Sequence, residues 1–211
     1  MKKLSEKQLN NKGFSLVELI VVMLMSGFIA TMVMMFISSS RRNYETVNTS
    51  YTLQSEALTA TTYMNELLLE AQDCGSVVLT DTLTDGDGAT YTDPTVLWIQ
   101  APNNYGTDTD SYIYFILLEK ETGNLRFGRR AWASSEIEAC KSSGKFEPTD
   151  AQLKGLVDDY CGDKYALLAQ HVESIEMPSS EVSGLVSVVL KLNYNDKDYE
   201  TTLNVSGRNL K

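Results

Sequence analysis

Between Phe14 and Ile37 the chain runs for 24 residues with Glu18 as the one charged side chain and Ser15, Ser26 and Thr31 as the only other hydroxyl or polar groups. As a helix, such a run is about 36 Å long, enough to cross a hydrocarbon core of about 30 Å. A carboxylate in that setting costs about 2.5 to 3.5 kcal/mol at mid-bilayer and less near an end, so Glu18 requires a positive partner. Lys2, Lys3, Lys7 and Lys12 precede the run and Arg41 and Arg42 follow it closely. The excess of lysine on the short leader keeps that side in the cytoplasm and sends the rest outside. A secretory signal is a poor account of the run: a signal core spans about 7 to 15 residues and ends at a small-x-small site, whereas Ser38-Ser39-Ser40-Arg41-Arg42 follows here. A plain membrane anchor would need neither the Gly13-Phe14 junction nor Glu18.

The junction Lys12-Gly13-Phe14-Ser15-Leu16-Val17-Glu18, leading into an unbroken apolar run, resembles the processing site of type IV prepilins and pseudopilins. The resemblance implies cleavage between Gly13 and Phe14 by a prepilin peptidase and N-methylation of the new amino terminus at Phe14. It also implies single-pass storage in the plasma (inner) membrane, leader inside and head outside, and then incorporation into a pilus or pseudopilus. There Glu18 would be the assembly contact, paired with the terminal ammonium of a neighbouring subunit. That role agrees with elementary electrostatics, because each charge is costly to bury alone and the pair offsets much of the penalty. The implied partners are the peptidase, other minor pilins or pseudopilins, the major pilin, the inner-membrane assembly platform and membrane lipid. Gly27 matches the helix-weakening glycine of many pilins, while Met35 stands where many major pilins carry proline.

Beyond the span, Tyr44, Val47, Tyr51, Leu58, Met64, Leu67, Leu68 and Ala71 recur at helical spacings, and no Pro or Gly occurs from Ser38 to Cys74. The pattern predicts one helix from Phe14 to about Asp73, stopped at Gly75, where glycine accepts the left-handed conformation that ends helices. Strands are predicted at Val96–Gln100, Tyr112–Glu119, Leu125–Ala133, Val172–Met177, Leu185–Tyr194 and Tyr199–Val205, with hairpins at 120–124 and 195–198. A helix first and strands after it make an α+β protein. The resemblance implies a pilin-like ladle, its long amino-terminal helix, transmembrane half and packed half, set against an antiparallel sheet. The expected organisation is leader 1–13, transmembrane and assembly helix 14–37, amphipathic continuation 38–74, and a β-rich head 75–211 with an insertion at 134–170. Within the insertion, Thr149-Asp150-Ala151-Gln152 has the capping-box form, with Leu153, Leu156, Val157 and Tyr160 on one face. The closing stretch, from Val172 to Met177 and from Val205 to Asn209, loosely resembles PilW-like minor pilins and J-type pseudopilins.

Removal of the leader leaves 14 basic and 27 acidic side chains, a net of −13, which repels polyanions unless a local basic patch intervenes. Arg126, Arg130 and Trp132 would share one face of a regular strand, with Gly128 between them. That patch is a candidate for DNA or an acidic neighbour, against the alternative of a solvated edge-strand face. Cys140 and Cys161 bracket the insertion helix, and a bridge would stabilise an exported domain by about 3 kcal/mol. Cys74 could compete for either of them, and three reduced thiols remain the other reading. Asp81, Asp85, Asp87 and Asp93 lie in a Gly-containing loop, but Val96 occupies the position where a calcium loop needs glutamate, so no metal site is expected. His171 is the only histidine, and no nucleophile elbow, P-loop or zinc-protease motif occurs. Neither enzymatic activity nor a cofactor is expected. The sequence therefore points to a minor pilin or pseudopilin that primes or caps a type IV pilus or type II secretion pseudopilus. The alternative is a competence-pilus subunit that takes part in DNA binding, and a membrane-tethered hydrolase is the least supported.

Overall fold

The computed structural model describes residues 15–79, 82–84, 90–102, 111–142, 145–158, 166–178 and 184–207. The chain divides into two compact units, Met1–Val47 and Asn48–Lys211. Helix α1, Leu16–Glu70, is 55 residues long. In the first unit it carries the apolar run, whose most apolar stretch has a mean hydropathy of 2.5 and is wholly unburied. The run is long and apolar enough to cross a membrane. The helix passes through Gly27 without a break. Thr31 Oγ1 donates to the Gly27 carbonyl at 2.8 Å and Ser26 Oγ to the Met23 carbonyl at 2.9 Å, so both hydroxyls are satisfied within the helix itself.

In the second unit, Thr49, Leu53, Ala57, Ala60, Met64 and Leu68 form the buried face of α1. Their three- and four-residue spacing keeps them on one side of a 3.6-residue helix. The stripe expected from the sequence is thereby corrected at its start: Tyr44, Val47, Tyr51 and Leu58 are exposed, while Met64 and Leu68 are buried. Within the second unit, the buried residues of this helix from Leu53 to Leu68 pack against the sheets.

The helix also ends earlier than expected, and not at a glycine. After Glu70 the chain turns directly into a ladder, with Gln72 N–H donating to the Gln100 carbonyl at 2.8 Å. The first strand follows as β1 (Asp73–Val78), then β2 (Leu83–Thr84), β3 (Thr90–Tyr91), β4 (Thr95–Pro102), β5 (Ser111–Glu119) and β6 (Asn124–Trp132). The insertion holds α2 (Ser134–Ala139), β7 (Lys141–Ser142), β8 (Lys145–Phe146) and α3 (Asp150–Asp158). The chain then forms β9 (Ala166–Ala169), β10 (Val172–Glu176), β11 (Leu185–Tyr194) and β12 (Lys197–Ser206). A five-stranded sheet in the order β1-β4-β5-β6-β9 and a three-stranded sheet β10-β11-β12 are the main ladders, antiparallel throughout, and two short ribbons pair β2 with β3 and β7 with β8. Long apolar helix and antiparallel sheets together make the α+β arrangement that the sequence predicts.

Both hairpins form where turn chemistry requires them. Asn195 and Asp196 take φ of 51° and 59° between the paired Tyr194 and Lys197, a two-residue turn whose twist matches that of the strands. Gly123, at φ 69°, closes the β5–β6 turn. Thr149 and Gln152 cap α3 reciprocally: Thr149 N–H donates to Gln152 Oε1 at 2.8 Å and Gln152 N–H to Thr149 Oγ1 at 3.4 Å.

The central strands β4 and β5 are apolar on both faces. Leu97, Ile99, Ile116 and Leu118 join Leu53, Ala57, Ala60, Met64 and Leu68 of α1 and the inner residues of β10–β12 in a first core. Val96, Trp98, Ile113, Phe115 and Leu117 point the other way, into a second core with Trp132, Ile137, Cys140, Phe146 and Leu153. The insertion is therefore the cover of the sheet's second face. Phe146 meets Trp98 and Trp132 edge-on at centroid distances of 5.2 and 5.7 Å. Asp73 Oδ2 accepts the Phe146 N–H at 3.0 Å, tying β8 to β1.

Gly75, expected as a helix stop, lies within β1 against Trp98. A Cβ there would stand 2.6 Å from Trp98 Cζ2 and 2.8 Å from Cε2. Gly75→Ala is expected to destabilise the second unit by about 1 to 3 kcal/mol, the usual range for forcing a methyl into a packed core. Thermal unfolding of the full-length protein in detergent should show a lower midpoint, and an unchanged midpoint would mean that the indole yields freely.

Candidate functional site

The amino-terminal turn of α1 is built by Ser15 and Glu18. Ser15 precedes the helix, its carbonyl accepting the Leu19 N–H at 3.2 Å, and its own N–H donates to Glu18 Oε2 at 3.0 Å. The glutamate thus reaches back over the first turn and satisfies one of the amide donors that a helix start leaves unpaired. Its negative charge also sits at the positive end of the helix dipole. The Ser15-x-x-Glu18 spacing is the sequence signature of this cap, a signal that reading Glu18 only as a membrane charge passes over. Glu18 is exposed, as are Leu16, Val17, Leu19 and Ile20 beside it. Gly13 and Phe14, the expected processing residues, lie outside the described residues.

The arginine and tryptophan of β6 do not form an exposed patch. Arg126 and Trp132 do lie on the sheet face opposite α1, as alternation requires, but that face is covered. Trp132 is buried in the second core with its indole N–H unpartnered among the described residues. Arg126 Nε donates to Glu119, a carboxylate only 5% exposed that also accepts from Thr122 Oγ1 at 2.6 Å and Asn124 Nδ2 at 3.1 Å. The β5–β6 turn thereby neutralises Arg126 within the fold. Arg130 is part-buried and has a partner of its own.

The cysteines are separated by the same sheet. Cys74 packs against the first core, on the α1 side, and burial pushes its thiol up to about 11. Cys140 is a buried free thiol in the second core, also raised by burial. Cys161 lies outside the described residues. His171 takes φ of 60° in the turn between β9 and β10, its ring stacked on Tyr194 at 4.0 Å and its carbonyl accepting the Asn193 N–H at 2.8 Å. Those contacts give the lone histidine a structural place. Of the loop aspartates only Asp93 is described, and no group of three potential metal ligands occurs among the described residues.

Residues 8–34 match the family described as the prokaryotic N-terminal methylation motif. No curated protein and no solved structure matches the chain.

Because Cys74 and Cys140 face opposite sides of one sheet, they cannot bridge without parting β1 from β4. Non-reducing peptide mapping of the membrane-exported protein is expected to show Cys74 unpaired, with any intrachain bridge of Cys140 made to Cys161. A joined Cys74–Cys140 peptide would overturn the placement of these strands.

Proposed function

The chain belongs to the type IV prepilin and pseudopilin superfamily, and on that premise we propose that it is a minor pilin or pseudopilin, a structural subunit that primes or caps a type IV pilus or type II secretion pseudopilus. The observation that carries the reading is Glu18, a lone carboxylate in the first turn of an exposed apolar helix whose start matches the methylation motif. The peptidase removes residues 1–13, Phe14 becomes the methylated terminus, and the membrane holds the subunit with its head outside until assembly. Glu18 then exchanges its bond to the Ser15 N–H for the ammonium of a neighbour. A peptide N–H is a neutral donor, and a carboxylate gains more from a cation once water is excluded.

The second unit supports packing as its work. Tyr51 and Leu58 lie exposed on the side of α1 away from its buried face, at a seven-residue spacing suited to a neighbouring helix. Tyr44, also exposed, stands seven residues before Tyr51 in the sequence. Uptake of DNA has less behind it, because Trp132 is buried and Arg126 is paired.

Two outcomes test the reading. Gly13→Val, by crowding the residue before the scissile bond, is expected to leave an uncut precursor that still inserts in the membrane; trimming by 13 residues at the wild-type rate would remove the cleavage assignment. Glu18→Val should leave cleavage and membrane level normal while reducing incorporation. Losing one member of a buried charge pair costs about 3 to 5 kcal/mol, about a hundredfold or more in occupancy. Immunoblots of sheared filaments and of cross-links to co-expressed prepilins read the effect, and wild-type incorporation would exclude Glu18 as the assembly contact.

A further inference from the structure

Strand β12 is one edge of the three-stranded sheet, and among the described residues no strand pairs with its outer side. It is ten residues long and keeps one continuous antiparallel register with β11 from Lys197 to Ser206. The sheet's other edge, β10, has five residues and a register shift between Val172 and Ser174, and the edges of the five-stranded sheet, β1 and β9, have six and four. Edges that must stay unpaired are blunted by shortness, a bulge, a proline or lysines. β12 has no bulge and no proline, and Lys197, its one lysine besides none further along, sits at its first position and donates to Ser50 of α1. The two-residue turn makes Tyr194 and Lys197 a hydrogen-bonded pair, so Asp198, Glu200, Thr202, Asn204 and Ser206 turn their amides and carbonyls away from β11. Their side chains are exposed on the face away from the first core, where Asn193 Nδ2 donates to Asp198 at 2.6 Å and Ser187 Oγ to Asn204 at 2.7 Å. On the core side Val205 is buried, while Tyr199 and Leu203 are only half-buried.

We propose that the free edge of β12 pairs antiparallel with β12 of a second copy of this chain, about a two-fold axis at Thr202, joining two three-stranded sheets into one. The strand is self-complementary in that register. Every residue with outward amides meets another: Thr202 faces its own counterpart, Glu200 faces Asn204 of the second copy, and Asp198 faces Ser206 of the second copy. Each carboxylate therefore lies opposite an amide or a hydroxyl and none opposite another acid, whereas an axis two residues earlier would set Glu200 against itself. An axis at Thr201 also separates the acids but carries Ser206 opposite Asp196 in the turn. On the core side Tyr199 faces Val205 and Thr201 faces Leu203, so the half-buried row of each copy covers that of the other. Aromatic with β-branched and Thr with Thr are pairs that stabilise sheets. The net of −13 on each processed copy opposes approach, but at physiological ionic strength that repulsion is screened beyond about 8 Å, and the residues that face one another at contact decide the pairing. The pairing uses neither Glu18 nor the apolar span, and it does not rest on the assembly reading.

The test is cysteine cross-linking of the full-length protein in native membranes. In the proposed register Asp198 and Ser206 of the second copy have Cα atoms about 5.5 Å apart, within reach of a disulfide, while within one chain the same two positions are about 27 Å apart. Asp198→Cys combined with Ser206→Cys is expected to give an oxidised homodimer above the level formed by the unsubstituted chain, and either change alone about tenfold less. Adding Thr202→Glu, which sets two carboxylates face to face at the axis, should cut the yield about fivefold or more. Thr202 is exposed, so the thermal midpoint in detergent should stay unchanged with that substitution. No dimer, equal yields from the single and double variants, a dimer indifferent to Thr202→Glu, or adducts to another protein alone would each overturn the proposal. The dimer should also persist with Glu18→Val; its loss there would assign it to the span instead. Leader removal, scored on the same blots, reports separately on the assembly reading.

Discussion

Burial of both faces of the β4–β5 pair is the constraint on which the second unit rests. Side chains alternate across a strand, so a run such as Val96-Leu97-Trp98-Ile99 sends apolar groups to both sides and needs a cover on each. The 49–68 face of α1 supplies one cover, with the β10–β12 sheet completing that core. The α2–β8–α3 insertion supplies the other. Each fully buried Leu, Phe or Met contributes about 1.5 to 3 kcal/mol, so neither cover can be withdrawn while the sheet survives. Long-range polar ties hold the first cover in register: Glu56 accepts the Gln170 N–H at 2.7 Å, and Lys197 Nζ donates to Ser50 Oγ at 3.2 Å. What this leaves of α1 for contact with other molecules is the opposite side, where Tyr51 and Leu58 stand exposed.

Much of this was legible in the sequence because the signals were local. Turn residues bounded the long strands, Thr149 and Gln152 announced α3, and Asn195-Asp196 announced the last hairpin. β1 and the short ribbons lack such signals. β1 reads Asp-Cys-Gly-Ser-Val-Val, with no alternation, directly after a helix; its glycine looked like a stop because the reason for it, Trp98 lying across the sheet, is 23 positions away. Tyr44, Val47, Tyr51 and Leu58 follow helical spacing and yet are exposed, because periodicity shows that a face is apolar and not what covers it.

The β6 residues carry the same lesson for the candidate sites. Alternation puts Arg126, Arg130 and Trp132 on one face, but whether that face meets solvent depends on Ile137, Phe146 and Leu153, which reach it only through tertiary packing of the insertion. Nothing in the sequence marks Arg129, since its neighbours Tyr112 and Tyr114 belong to another strand and reach it only through the β5–β6 register. A buried indole and a paired guanidinium on one side, and a ring-supported guanidinium on the other, are thus consequences of pairing rather than of composition.

The amino-terminal turn shows how one carboxylate can serve two states. In the monomer Glu18 receives a single amide N–H, a bond to a charged group worth about 1.5 to 3 kcal/mol, which eases its place near the end of an apolar helix without removing the charge. An ammonium arriving from a neighbour adds a full opposite charge in a medium of low dielectric, where attraction rises steeply as water leaves. In the proposed subunit the exchange is therefore downhill only when a second terminus is present and water is excluded. On the proposed reading, the cap that makes the stored monomer tolerable would be weak enough to give way to the contact that assembles it. No lysine or arginine occurs between Glu18 and Arg41, so no basic side chain further along the same helix competes for that carboxylate.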